Sequence, residues 1–155
     1  MIVRDLLVGA TAMSGLLAGA SLDRYLVQVP AWRRLDVMTW AEHSRHADMG
    51  NGRFWYPTLA FGATGFSVAA ALAMRQRTLL VSGLALPVHL AALLSFLGLA
   101  TTILAAPNLL RLRRPADRAT TESSFHAFHR WGRVRAVFQI LAFPASLRAL
   151  ALLAR

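Results

Sequence analysis

The stretch FWYPTLAFGATGFSVAAALAM, residues 54–74, carries no charged side chain and decides the fold. A helix needs about 20 apolar residues to cross about 30 Å of hydrocarbon, so this stretch predicts a membrane span. Three further stretches are long and apolar enough to do the same. They cover about residues 6–29, 78–106 and 134–154. We therefore expect an all-α protein, a single transmembrane domain over 1–155 built as an up-and-down four-helix bundle.

The composition supports a protein that lies in a lipid bilayer. Of the 155 residues, 56% are hydrophobic and 15% are charged, whereas a soluble domain has about a quarter charged. The 17 basic residues are all arginine and give a formal charge of +10, which suits contact with anionic lipid better than with nucleic acid. The absence of cysteine excludes disulfides, thiolate metal ligands and cysteine nucleophiles.

One end of the predicted bundle, named here the crowded end, comprises the loops 30–53 and 107–133 and the adjoining ends of the spans. We expect these loops to be structured helical caps on one membrane face. All four tryptophans and four of the five histidines lie there. Interfacial aromatic residues normally form belts on both faces of a membrane. Their accumulation at one end indicates a built site.

Two stretches of the crowded end show helical spacing. Glu122, His126, His129 and Arg133 recur at i, i+4, i+7 and i+11. They predict one helical stripe that continues the fourth span beyond the membrane. The first loop has a similar spacing, which ends at the Gly-Asn-Gly sequence of residues 50–52.

Two histidine pairs with the spacing His-x-x-His face this compartment: His43 with His46, and His126 with His129. Imidazoles three residues apart lie on one face of a helix and can bind one ion. Nitrogen ligands favour copper, zinc, iron or nickel, so we expect copper, with iron or no metal as alternatives. Asp48 is a further candidate ligand. The alternative, which stays open, is a solvent-exposed helix face that has the same spacing and binds no metal.

The start of the fourth span holds the candidates for substrate chemistry. Arg133 and Arg135 stand beside Trp131, where a guanidinium can bind a phenolate oxygen and an indole can stack on a flat substrate. Headgroup contact is the alternative role for these arginines. We expect Glu122 or Asp48 to accept a proton or to orient a metal ligand. The candidate catalytic residues are thus Arg133, Arg135 and Glu122, and the candidate substrate contacts are Trp131, Trp55, Tyr56 and His89.

His89 lies inside the third apolar stretch, where an ionisable side chain needs burial and a partner. Pro87 has no amide hydrogen and predicts a kink one turn before His89. His89 is therefore expected to be either a polar core contact or a site group beneath the caps.

The layout resembles the anthrone-oxygenase-like family of small four-helix membrane proteins. The resemblance is carried by Val29-Pro30, Pro57, Ala106-Pro107-Asn108-Leu109 and the run His129-Arg130-Trp131-Gly132-Arg133-Val134-Arg135. It implies an oxidase or oxygenase that uses dioxygen on a flat phenolic molecule. The pair His43 and His46 departs from the family pattern and points to a metal-using branch with different chemistry.

Together these features predict a membrane-embedded oxidase or oxygenase for a lipophilic phenolic or polyketide-like aromatic substrate, with a histidine-bound redox metal. A metal-free version, in which a base such as His129 removes a proton from the substrate, stays open. The alternative is a non-enzymatic membrane protein that binds metal or docks a partner. A homo-oligomer is compatible with either.

The arginine count predicts an orientation in a bacterial inner membrane. Twelve arginines belong to the crowded end and five to the other end. The positive-inside rule then places the histidine-rich end in the cytoplasm.

Overall fold

The apolar runs form four long helices that pack as a bundle in the computed structural model, which describes residues 2–75, 83–113 and 117–154. Within those ranges four helical segments are long and apolar enough to cross a membrane. This confirms the all-α class and an integral membrane protein. The long helices are α1 (Ile2–Asp23), α4 (Gly52–Arg75), α5 (Ala85–Leu110) and α6 (Arg118–Leu153).

The connection between α1 and α4 is helical almost throughout, as expected for a structured cap. Its elements are a π-helical turn Arg24–Gln28, α2 (Val29–Trp32), α3 (Val37–His46) and a second π-helical turn Ala47–Asn51. Asp36 caps α3 by accepting a hydrogen bond from the amide of Met38 at 2.9 Å. Gly50 leaves the helical region with ψ of −116°. The predicted break at residues 50–52 therefore falls at Gly50.

Helix α6 is continuous from the crowded end to the far end of the bundle. Asp117 caps it by accepting a hydrogen bond from the amide of Thr120 at 3.0 Å. This confirms that the stripe containing His126 and His129 extends the fourth span. A one-turn 3₁₀ helix, Arg111–Arg113, extends α5 at the same end.

The expectation for Pro87 and His89 is wrong. Helix α5 begins at Ala85, so Pro87 lies in the first turn, where its missing amide hydrogen costs no helical bond. His89 is exposed in the next turn, and its Nδ1 lies 2.7 Å from the carbonyl oxygen of Ala85. Residues 78–82 of the predicted third span lie outside the described ranges.

The end opposite the crowded end is closed by aliphatic packing. Small residues let the helices approach one another here and along the bundle. A Cβ built on Gly15 would meet the Phe143 ring at 3.1 Å, so α1 and α6 touch closely at that point. The buried cluster at this end consists of Val3, Leu7, Ala70, Ala71, Leu84, Val88 and Ala149.

Candidate functional site

A cavity of about 300 Å³ lies among the four long helices towards the crowded end. Each helix contributes one face to it. On α1 and the turn that follows, Leu17, Ser21 and Arg24 line the wall at i, i+4 and i+7. On α6, Arg135 and Gln139 are one turn apart and line it together. The regular helix spacing therefore brings charged and apolar groups to one space.

A buried ion pair between Arg24 and Asp48 forms one side of the cavity. Arg24 is 7% exposed and Asp48 is 6% exposed, and Arg24 Nη2 donates to Asp48 Oδ1. The same nitrogen donates weakly to the Tyr56 hydroxyl at 3.4 Å. The guanidinium carbon lies 5.6 Å from the centre of the Trp32 ring. These contacts fix the guanidinium, as a charge removed from water requires.

The second carboxylate oxygen of Asp48 has no hydrogen-bond partner within the described residues. A buried polar atom without a partner is uncommon and calls for a physical reason. Asp48 lines the cavity, so the residue that carries this unpartnered oxygen belongs to the wall of the site.

Positive charge exceeds negative charge around the cavity. Among the described residues, the lining includes one carboxylate, that of Asp48, and four arginines: Arg24, Arg53, Arg113 and Arg135. Arg135 is half-buried and makes no ion pair with any described carboxylate. An uncompensated charge inside a membrane bundle is costly. The cavity is therefore complementary to an anion.

The rest of the cavity wall is mostly apolar. Gln139 accepts a hydrogen bond from Ser21 at 2.7 Å, so its amide oxygen is already satisfied. Leu17, Ala60 and Leu109 supply hydrocarbon surface. The cavity thus combines a cationic side with an apolar wall, as sites for small amphiphilic molecules do.

The four histidines of the two His-x-x-His pairs do not converge. His129 is buried, and its ring centre lies 5.7 Å from that of Trp32. The exposed His43 has its ring centre 5.8 Å from the same Trp32 ring. His46 is exposed, with Nε2 2.9 Å from Glu42 Oε1, and His126 is also exposed. Over residues 2–75, 83–113 and 117–154, no three His, Asp or Glu side chains are placed to hold one metal ion. The arrangement therefore does not fit the predicted copper or iron site.

His129 instead lies in an aromatic cage at the crowded end. Its ring centre is 4.3 Å from that of Phe125 and 5.8 Å from that of Trp40. Neither ring nitrogen has a hydrogen-bond partner among the residues described. His129 does not line the cavity, so it is not placed to act on a molecule bound there.

Of the other predicted site residues, Arg135, Tyr56 and Asp48 line the cavity. Arg133 and Trp55 are exposed and lie outside its lining, as does the exposed His89. The two remaining candidates are also outside it. Glu122 is exposed and pairs with Arg118 at 3.1 Å, and Trp131 packs on the aromatic core of the crowded end.

Sequence reasoning missed Arg24, Arg53 and Arg113 as site residues. For Arg24 a signal was present, because it lies inside the predicted first span of residues 6–29. An ionisable residue at membrane depth is by default a functional candidate. Arg53 and Arg113 carry no comparable signal, since both lie outside the predicted spans, where an arginine is ordinary.

Comparison with known proteins gives no further assignment. No protein-family model, no curated protein and no solved structure matches this chain. What is established is an integral membrane protein with four long apolar helices, and the resemblance described above stays a prediction.

Proposed function

We propose that this protein binds a lipophilic phenol as its anion in the four-helix cavity and promotes its oxidation by dioxygen. The observation that carries the proposal is the pair of guanidiniums, Arg24 and Arg135, which line the cavity beside an apolar wall, while Asp48, the one described carboxylate in the lining, is paired with Arg24. An aromatic ring system would occupy the apolar part of the cavity. Its phenolate oxygen would lie against the guanidiniums and neutralise the excess charge.

Asp48 is the proton acceptor in this proposal, because the residue lines the cavity and its Oδ2 accepts no hydrogen bond from any described residue. For an anthrone-type substrate, the carboxylate removes a proton from the methylene carbon. Arg24 and Arg135 stabilise the resulting enolate, so that a weak base suffices.

Dioxygen is the oxidant. The carbanion forms a carbon–oxygen bond with it, and the product takes up a proton to become a hydroperoxide. Loss of the second methylene proton and cleavage of the oxygen–oxygen bond give the ketone and water. One anthrone and one dioxygen thus yield one anthraquinone and one water.

The test is oxygen uptake by the protein reconstituted in lipid nanodiscs, with 1,8-dihydroxyanthrone as substrate. We expect the wild type to accelerate uptake over protein-free nanodiscs and Arg135→Gln to lower the acceleration by about 100-fold. Arg130→Gln is the matched control, because Arg130 is on the same helix, exposed and outside the cavity lining. An Arg135→Gln protein as active as wild type would contradict the proposal.

Folding does not confound this variant. Arg135 makes no ion pair with any described carboxylate, so its replacement leaves no buried acid without a partner. Uptake that persists with a chelator is the expected result, whereas uptake abolished by a chelator would restore the histidine-metal expectation. Tight binding of the anthrone without uptake would identify the non-enzymatic alternative.

A further inference from the structure

The cavity opens between the start of α4 and the end of α5. Its exposed lining residues, within the described ranges, are Arg53, Leu110 and Arg113. All three belong to those two helix ends. The described lining residues on α1 and α6, among them Arg24 and Arg135, are buried or half-buried. The exposed lining therefore lies on the α4–α5 side of the bundle, at its crowded end.

The two helices that carry these residues also expose apolar side chains. Phe54 and Trp55 are exposed on α4, and Ile103 and Leu104 are exposed on α5. Side chains of this kind in a membrane bundle face hydrocarbon. The Arg53 guanidinium lies 4.6 Å from the centre of the Phe54 ring, and a long arginine at such a place keeps its charge near the headgroups. The opening thus faces the bilayer at the border of its headgroup region.

Both helices contain a proline beside the opening. Pro57 lines the cavity on α4, and Pro107 lies between two lining residues on α5. A proline cannot bond the carbonyl oxygen four residues earlier, which is that of Arg53 on α4 and that of Ile103 on α5. Helices bend most readily at such places, so the two sides of the opening can separate without loss of a helical bond.

We infer that the cavity takes its ligand sideways from the bilayer, through the opening between α4 and α5. The inference rests on the proposed function and narrows its substrate class to a bilayer-dissolved amphiphile with one anionic end. The anionic end goes in first and meets the buried guanidiniums of Arg24 and Arg135. The apolar body fills the path past Leu109 and Leu110 towards the lipid. A small water-soluble anion lacks this body and is not a ligand of this kind.

Single cysteines test the opening, because the chain has no cysteine of its own. Leu110→Cys places a thiol at the opening, and Leu104→Cys is the matched control on the same helix. The two leucines are 45% and 51% exposed, and Leu104 is outside the cavity lining. Each variant in nanodiscs is modified with a lipid-soluble maleimide, with and without 1,8-dihydroxyanthrone. Binding is measured separately by quenching of tryptophan fluorescence.

With the anthrone at about ten times its Kd, we expect modification of Cys at position 110 to slow about tenfold, with no change at position 104. A fluorophore at position 110 should also be quenched by phospholipids that carry a nitroxide near the headgroup. Anthrone binding with equal rates at both positions would overturn the sideways route and leave the proposed function standing. If benzoate, a small water-soluble anion, protected position 110 as well as the anthrone does, the sideways route would also be overturned and the proposed function would stand. No anthrone binding would overturn both.

Discussion

The two ends of this bundle are held together by different interactions. The end near Val3 and Leu7 is closed by aliphatic side chains against alanines. The crowded end encloses a cavity and an ion pair between Arg24 and Asp48. Lipid tails are as apolar as leucine, so aliphatic packing in a membrane stabilises through close contact alone. A charged side chain inside the membrane is costly, and proteins retain one there where it serves a functional site.

The largest expected effect is at the ion pair. Asp48→Asn leaves the Arg24 guanidinium buried without a carboxylate, so we expect a loss of about 3–5 kcal/mol in the free energy of unfolding. Thermal unfolding in detergent measures it, with Glu122→Gln on the exposed surface as the control. Arg24→Met combined with Asp48→Leu should recover most of the stability while abolishing anthrone binding. An Asp48→Asn protein as stable as wild type would show that Arg24 does not depend on the pair.

At the opposite end we expect a substitution to lower the stability of the fold without changing the affinity for the anthrone. Leu7 is buried in the aliphatic cluster, and Leu7→Ala should cost about 2 kcal/mol, because the packing is lost but little surface is transferred from water. Leu16→Ala on the same helix is exposed and serves as the control. Anthrone affinity should stay within about twofold in both variants, provided the protein is folded. A larger change for Leu7→Ala would mean that the two ends are coupled.

Close packing at the crowded end gives the next effect. A Cβ built on Gly132 would lie 2.1 Å from the Tyr25 hydroxyl oxygen, whereas a Cβ on Gly19 meets nothing within 4 Å. Gly132→Ala should therefore lower stability by about 1–3 kcal/mol. Gly19→Ala should be neutral or stabilising by up to about 1 kcal/mol, since alanine favours the helix. Equal midpoints of thermal unfolding for the two variants would contradict the contact.

The smallest effect concerns the cap that joins α3 to α6. The amide of Met38 and the Arg118 guanidinium, 2.7 Å away, hold the pKa of Asp36 below its ordinary value of 3.8. The carboxylate thus stabilises the fold above that pH, and its contribution is lost as the pH falls through the folded-state pKa. Asp36→Asn should lower the melting temperature slightly at pH 7, and the difference should vanish in strong acid. A difference that grew in acid would contradict the assigned cause.

Residues 54–74 show how much of the fold was readable in the sequence. An uncharged stretch of that length has few stable arrangements except a spanning helix, because backbone groups in lipid must bond within their own segment. The kink expected at Pro87 failed for a local reason. The helix begins at Ala85, and hydropathy does not locate a helix start to within a turn.

The histidine pairs show the opposite case. Their spacing correctly predicted that they lie on helices, yet the His129 ring is packed among aromatic rings, whereas His126, three residues earlier, is exposed. Arg133 and Arg135 are equally good candidates by sequence, but only the packing of α6 shows that Arg135 lines the cavity and Arg133 does not. A spacing fixes which residues share a helix face, and the neighbouring helices fix what that face meets.

The sequence alone determined the class of this protein, its four spans and the end at which its polar chemistry gathers. These follow from hydropathy and helix periodicity, which are local properties of the chain. The tertiary structure decided that Arg24, Asp48 and Arg135 share one cavity. Asp48 is 24 positions from Arg24 and 87 positions from Arg135 along the chain. The three residues therefore meet only through the way the four helices pack.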